Sequence, residues 1–155
     1  MPSNSKFAVA IHTAGMLAYG DCMPMTSESI AQSVKTNPVV VRRVIGLLTK
    51  RGLVTVRKGQ GGGASLTKPA EEITLDEIYV AVQPGPLLQA PLLGAKHQCP
   101  IGRHIGPVLD KIFLKAELGL MACLRQVTLA DVITSVRGEF RLGLKQDMQA
   151  RKKGK

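Results

Sequence analysis

The sequence predicts a mainly α-helical fold with a small β-wing, a winged helix-turn-helix continued by a long helix, on three observations. Residues 52–66, GLVTVRKGQGGGASL, hold two short apolar-alternating runs around a glycine-rich turn, the pattern of a β-hairpin. An apolar helical segment with arginines on its outer side stands directly before that hairpin. Beyond a proline- and glycine-rich stretch, an apolar stripe recurs at helical spacing from about residue 100 to 124.

Each element follows in order. Phe7, Ala10, Ile11, Ala14, Leu17 and Ala18 share one helical face. The stretch is apolar enough to raise a secretory signal, but no convincing cleavage site follows, so a first core helix of a cytoplasmic protein is expected. Thr26 is placed to cap a short helix from Ser27 to Val34, and Asn37-Pro38 is a strong start for the next. On that next helix Val40, Val41, Val44, Leu47 and Leu48 fall on one face; Val39, Arg42, Arg43, Gly46, Thr49 and Lys50 point away. Its run of three valines lowers helix propensity, so packing of the apolar face must hold it, and Gly52 ends it.

In the wing Val54 and Val56 alternate with Thr55 and Arg57, Gly59, Gly61, Gly62 and Gly63 let the chain turn through positive φ, and Leu66 resumes the apolar pattern. Arg57 and Lys58 stand near its tip. Thr74 and Glu77 form a capping box that opens a helix of about nine residues, with Leu75, Ile78 and Val82 facing the first helix. Residues 83–98, with Pro84, Gly85, Pro86, Pro91 and Gly94, read as a loop. The long helix carries Ile101, Ile105, Val108, Leu109, Ile112, Ala116, Gly119 and Cys123 on its stripe, and a short helix spans 128–136. The organisation expected is a DNA-binding domain at 1–82, a sensor or linker loop at 83–99, a dimerisation helix and terminal helix at 100–136, and a mobile basic tail at 137–155.

Charge points to a polyanionic partner. The chain carries a formal +10, and its first 70 residues hold nine lysines and arginines against two acids, the remainder twelve against nine. Aromatics make up 3% of the chain and tryptophan is absent, which leaves little to stack on single-stranded bases and favours duplex grooves. The candidate contacts are Val39, Arg42, Arg43 and Lys50 on the reading helix and Arg57 and Lys58 on the wing. An arginine can pair bidentately with guanine and Val39 can touch a thymine methyl, while which arginine reads a base and which clamps a phosphate stays open. Thr26, Ser27 and Asn37 have two readings, helix caps or contacts to DNA at a helix N-terminus. Ile105, Val108, Leu109, Ile112 and Ala116 form the candidate dimer face, the alternative being packing within the chain. A twofold dimer would present two reading helices about 34 Å apart to an inverted repeat. No stretch is long enough to span a membrane.

An enzyme is not expected. Gly59, Gly61 and Gly63 give a GxGxG string, but the strand-like ASLTKP follows where a dinucleotide site needs a helix N-terminus. The Walker lysine pattern is missing, and no acid–base pair accompanies Cys99 at a recognisable spacing. A winged helix that binds proteins instead of DNA is the remaining alternative, and the charge weighs against it.

TNPVVVRRVIGLLTKRGLV and VRKGQGGGASLTKPAEEITLDEIYVAV, followed by CPIG and a long helix, resemble the bacterial Rrf-two family of winged-helix repressors over about residues 5–136. The resemblance implies a homodimer joined through the long helix, a promoter operator as partner, and a sensor region in the loop before that helix. Family members include regulators of iron–sulfur assembly, nitric-oxide responses and cysteine metabolism. At two wing positions the chain departs from the family pattern: Lys58 stands where an arginine usually enters the minor groove, and Ala64 where a tyrosine is usual.

Cluster-binding members of that family carry three cysteines in the loop and the start of the long helix, because a cluster needs several converging thiolates. Here only Cys99 stands in that region, and Cys123 is about 36 Å away along the helix axis. No cofactor and no metal is therefore expected. The alternative is a metal or iron–sulfur site shared across a dimer, or completed by His97 and His104. The three cysteines are an odd number without the spacing of a disulfide framework. Cys99 precedes Pro100 at the positive end of the long helix, with Arg103 and His104 one turn on, where a thiolate is stabilised and its oxidation or alkylation could shift the reading heads. The alternative is an inert helix cap. Cys123 is expected as a small buried hydrophobe, and Cys22 as a loop thiol.

Overall fold

The computed structural model describes residues 3–19, 23–90 and 99–139. Cys22, His97, the second half of the 83–98 loop and all but the first three residues of the basic tail lie outside them. Helix α1 (Ser3–Tyr19) precedes α2 (Ser27–Val34) and α3 (Pro38–Lys50), then β1 (Val54–Arg57) and β2 (Gly63–Leu66), a short 3-10 turn (Ala70–Glu72), α4 (Leu75–Val82) and α5 (Pro100–Arg125). A last helix, α6, is formed by residues 129–139. This is the mainly α fold with a small two-stranded wing expected from sequence.

The helix ends follow from local chemistry. The Thr26 hydroxyl accepts the Ser29 N–H at 3.2 Å, and the Asn37 side chain accepts the Val39 N–H at 2.8 Å, with Pro38 at the first helical position. At its other end α3 closes in a Schellman turn. Gly52 has φ 71°, its N–H reaches the Thr49 carbonyl at 2.9 Å, and the Leu53 N–H reaches the Leu48 carbonyl at 3.0 Å. Leu48 and Leu53 are both buried, so the turn that ends α3 also aims the chain into the wing.

The core lies where α1, α3 and α4 meet. Ala10, Ala14 and Leu17 pack with Ile30 of α2 and Val41, Val44 and Leu48 of α3, closed by Ile78 and Val82 of α4. Val40 and Leu47 are half-buried, and Ile45, left out of the expected stripe, is buried with the core. The 73–75 segment bonds to the start of α6, Leu75 N–H to the Val127 carbonyl at 2.9 Å and Leu129 N–H to the Ile73 carbonyl at 2.8 Å. Leu129 is thereby fully buried.

Three expectations change. Val56 is 52% exposed although the alternation put it inward, because only the Val54 end of β1 reaches the core. Cys123 is exposed where a buried side chain was expected, since the stripe it belongs to has no covering element within the described chain. Residues 137–139, assigned to a mobile tail, continue α6, and the Arg137 guanidinium lies 5.0 Å above the Tyr19 ring. Helix α4 opens as expected in a capping box at Thr74, whose N–H donates to Glu77 Oε2 at 3.0 Å, and the Thr74 hydroxyl also donates to Asp76.

Candidate nucleic-acid interface

The wing is a two-stranded antiparallel hairpin in the register Val54 with Leu66 and Arg57 with Gly63. Its turn works only with glycine. A Cβ on Gly62 would lie 2.2 Å from the Arg57 carbonyl oxygen, and one on Gly63 would lie 2.7 Å from the Met25 carbonyl oxygen. The second approach exists because Met25 and Ala64 exchange hydrogen bonds at 3.0 and 2.8 Å, making residue 25 a third, one-residue strand of the wing. That bridge ties the wing to the entrance of α2. A tyrosine in place of the small Ala64, which is 2% exposed, would meet this packing directly.

The remaining sequence-predicted contacts fall on the surface. Val39 is 56% exposed, and Arg42, Arg43 and Lys50 are exposed on α3 with the core face turned the other way. Arg57 ends β1 and Lys58 begins the turn, both exposed. Thr26 and Asn37 act as helix caps, whichever further contact they make.

Arg42 carries a relation that the helical wheel did not show. Its guanidinium pairs with Glu28 of α2 and donates through Nε to the Ser27 hydroxyl at 3.2 Å. The hydrogen bond from Arg42 holds the Glu28 carboxyl below its usual range, helped by Ser27. Ser27 and Arg42 are therefore one unit. Glu28 was legible only as a favourable first-turn acid of α2; its pairing fourteen positions away depends on how α2 packs on α3.

The loop expected as a sensor region is held down at its described end. Glu117 of α5 accepts the N–H groups of both Leu87 and Leu88, the latter at 3.2 Å. Cys99 is exposed at the N-cap position of α5 with Pro100 following, so the thiol sits where the sequence put it. Along α5 Ile101, Val108, Ile112, Leu114 and Leu118 are exposed at 55–70%, while Ile105 and Leu109 are half-buried and Ala116 is exposed.

A family model named Rrf2, described as iron-dependent transcriptional regulator, matches residues 3–135. The chain belongs to the Rrf2 family. A Bacillus subtilis relative, YwnA, named as a candidate HTH-type transcriptional regulator, is 41% identical over 130 residues, which is 84% of this chain and 96% of the relative. A solved structure of a candidate transcriptional regulator from Lactobacillus plantarum is 28% identical with a TM-score of 0.72, covering 92% of this chain and 97% of that one. Another, described as a candidate DNA-binding protein, is 38% identical with a TM-score of 0.65 and covers 83% and 98%. The Rrf2 chain is thus a member of a family of transcriptional regulators and not of enzymes.

The family is described as iron-dependent, and an iron site needs several converging ligands. Cys99 and Cys123 stand near opposite ends of the 26-residue α5, and at about 1.5 Å per residue they are separated by roughly 36 Å. Among the described residues no three His, Cys, Asp or Glu side chains come together as ligands would. The described residues of one chain do not fit a cluster. Likewise no helix among them is long and apolar enough to cross a membrane.

Proposed function

We propose that this Rrf2 protein is a cytoplasmic regulator, a repressor in action, that binds an inverted-repeat operator in double-stranded DNA as a homodimer. The observation that carries the reading is the division of α3: Val41, Val44 and Leu48 are buried while Val39, Arg42, Arg43 and Lys50 face solvent, with Arg57 and Lys58 on the adjoining wing. In the helix-turn-helix docking mode such a face enters the major groove and the wing follows the backbone. Ser27, capped into α2 beside Arg42, joins the same face, with Thr26 and Asn37 at helix N-termini that favour phosphate. The likeness to a solved structure described as a candidate DNA-binding protein supports the same partner.

Homodimerisation is supported by the uncovered stripe on α5, where Val108 and Ile112 are both 55% exposed on a helix that projects from the core. Ile105, Leu109 and Ala116 extend that stripe. The protein works without a resident metal or iron–sulfur cluster in this reading, which the wide separation of Cys99 and Cys123 supports. Its signal enters instead at Cys99, where oxidation or alkylation at the start of α5 alters how the two reading heads are spaced. A ligand set shared between subunits is the competing view.

The test is selection of genomic DNA fragments by the purified protein, with the visible absorption spectrum recorded on an anaerobically prepared sample. The expected outcome is an inverted repeat bound by a colourless protein. A brown protein overturns the cluster-free part, and no enriched sequence overturns the DNA-binding part.

A further inference from the structure

Two adjoining hollows flank the loop described at residues 84–90. One, of about 350 Å³, lies between the end of α4 and α5 and is lined by Tyr79, Leu120 and Met121; the other, of about 410 Å³, is lined by Asp110, Phe113 and Leu114. They share Pro86 and Glu117, and each is large enough to hold a small molecule. Their polar equipment is unusual for a chain of formal charge +10. Asp110 and Glu117 are seven residues apart, two turns along one face of α5, and among the described residues neither takes part in an ion pair. Glu117 is half-buried beneath the loop, where a carboxylate without a cation is costly. A second, independent feature is the Tyr79 hydroxyl. Its oxygen is buried, in a residue that lines the first hollow, and among the described residues it has no hydrogen-bond partner. The Tyr79 ring is fixed edge-on to Phe7 at 5.2 Å, so the hydroxyl is held in place.

We propose that this cleft between residues 84–90 and α5 binds a small organic cation with an apolar body. An ammonium or amidinium group would donate to Tyr79 Oη and face the Glu117 and Asp110 carboxylates. Phe113 adds a ring face for the cation, and Pro86, Leu114, Leu120 and Met121 cover the apolar part. Anions are disfavoured by both carboxylates, and neutral isosteres gain only the apolar burial. Because Glu117 also holds the Leu87 and Leu88 N–H groups, an occupant would bear on the link between the helix-turn-helix and α5.

The site stands apart from the DNA-binding reading, and its assay contains no DNA. The full chain is titrated calorimetrically with benzylammonium, benzyl alcohol and benzoate, while the Tyr79 ring resonances are followed by NMR. Benzylammonium is expected to saturate and shift Tyr79, binding about tenfold or more tighter than benzyl alcohol, with benzoate weaker still, as a charge-assisted hydrogen bond requires. Glu117→Gln keeps an oxygen for Leu87 and Leu88 but removes the charge, and Asp110→Asn leaves the loop anchor untouched; each is expected to weaken benzylammonium alone. Tyr79→Phe should do the same. Equal affinity for the three probes, no saturation by benzylammonium, or undiminished binding in both carboxylate variants overturns the proposal.

Discussion

Asp76, 6% exposed, is held by two partners of different kinds: the Thr74 hydroxyl, and the Arg125 Nε at 2.9 Å. Burial by itself would raise its carboxyl, but these two partners outweigh burial and hold it below its ordinary 3.8. A depressed folded-state value means that the ionised carboxylate contributes stability above the ordinary value and loses that contribution as pH falls through the depressed one. Urea unfolding should therefore show wild type losing stability below about pH 3.8, and Asp76→Asn losing less over the same range. At neutral pH Asp76→Ala is expected to cost about 2–3 kcal/mol, because the Thr74 and Arg125 bonds both go. Arg125→Ala should cost less, about 1–2 kcal/mol: its side chain is 73% exposed and screened by water, but its loss leaves the buried Asp76 carboxylate with the Thr74 hydroxyl alone. If the two variants lose equal stability, the Thr74 contact is not the dominant one. At the wing, Gly63→Ala would press a methyl against the Met25 backbone at 2.7 Å. A loss of roughly 2–3 kcal/mol is expected, with broadening of the Met25 and Ala64 amide signals in NMR. A variant as stable as wild type would show that the wing can move away from residue 25 without penalty.

Helix α5, 26 residues long, buries only Gly102 within the described chain, and in the homodimer proposed above its exposed stripe is covered by the partner. Its exposed Val108, Ile112 and Leu118 would then lie against a second copy, and Ile112→Asp should convert a dimer of twice the chain mass into a monomer in sedimentation equilibrium. Monomeric wild type, or an unaltered dimer in the variant, would place the subunit contact elsewhere. The elements themselves were largely legible. Asn37-Pro38, Thr26 and Gly52 fixed the ends of α2 and α3 because caps are written in one or two residues. What stayed hidden depends on long-range contact. The Met25–Ala64 bridge, the 73–75 to 127–129 bridge and the Glu117 anchor join residues twenty-nine to fifty-six positions apart; the two bridges use backbone groups that every residue possesses, and the anchor pairs backbone N–H groups with a carboxylate on another element. Val56 failed for the converse reason: alternation reports a strand but not how far the sheet extends past the core.

For the whole molecule the decisive quantity is the response of DNA binding to salt, since +10 of formal charge guarantees some affinity for any duplex. Arg42 is bound to Glu28 and Ser27, with side-chain exposures of 58% and 56% across the ion pair. So exposed a pair is a weak competitor, and a phosphate or a guanine edge can displace it. In the DNA complex proposed above, Arg42 turns to DNA and the released Glu28 carboxylate, on the same face, would repel the phosphates. Arg42→Ala should then weaken operator binding and reduce the slope of log K against log salt by about 0.9 if its contact is to a phosphate. Lys58→Ala should lower the slope by a similar amount from the wing, and the double variant should abolish specific binding. Glu28→Gln is expected to raise affinity by about two- to fivefold with the wild-type slope retained, because it removes repulsion without adding a cation. These four titrations also separate roles at Arg42. A base-reading arginine would cost affinity for the operator alone and leave nonspecific duplex binding and its slope nearly unchanged. Unaltered binding in both Arg42→Ala and Lys58→Ala would mean that the exposed face of α3 and the wing point away from DNA.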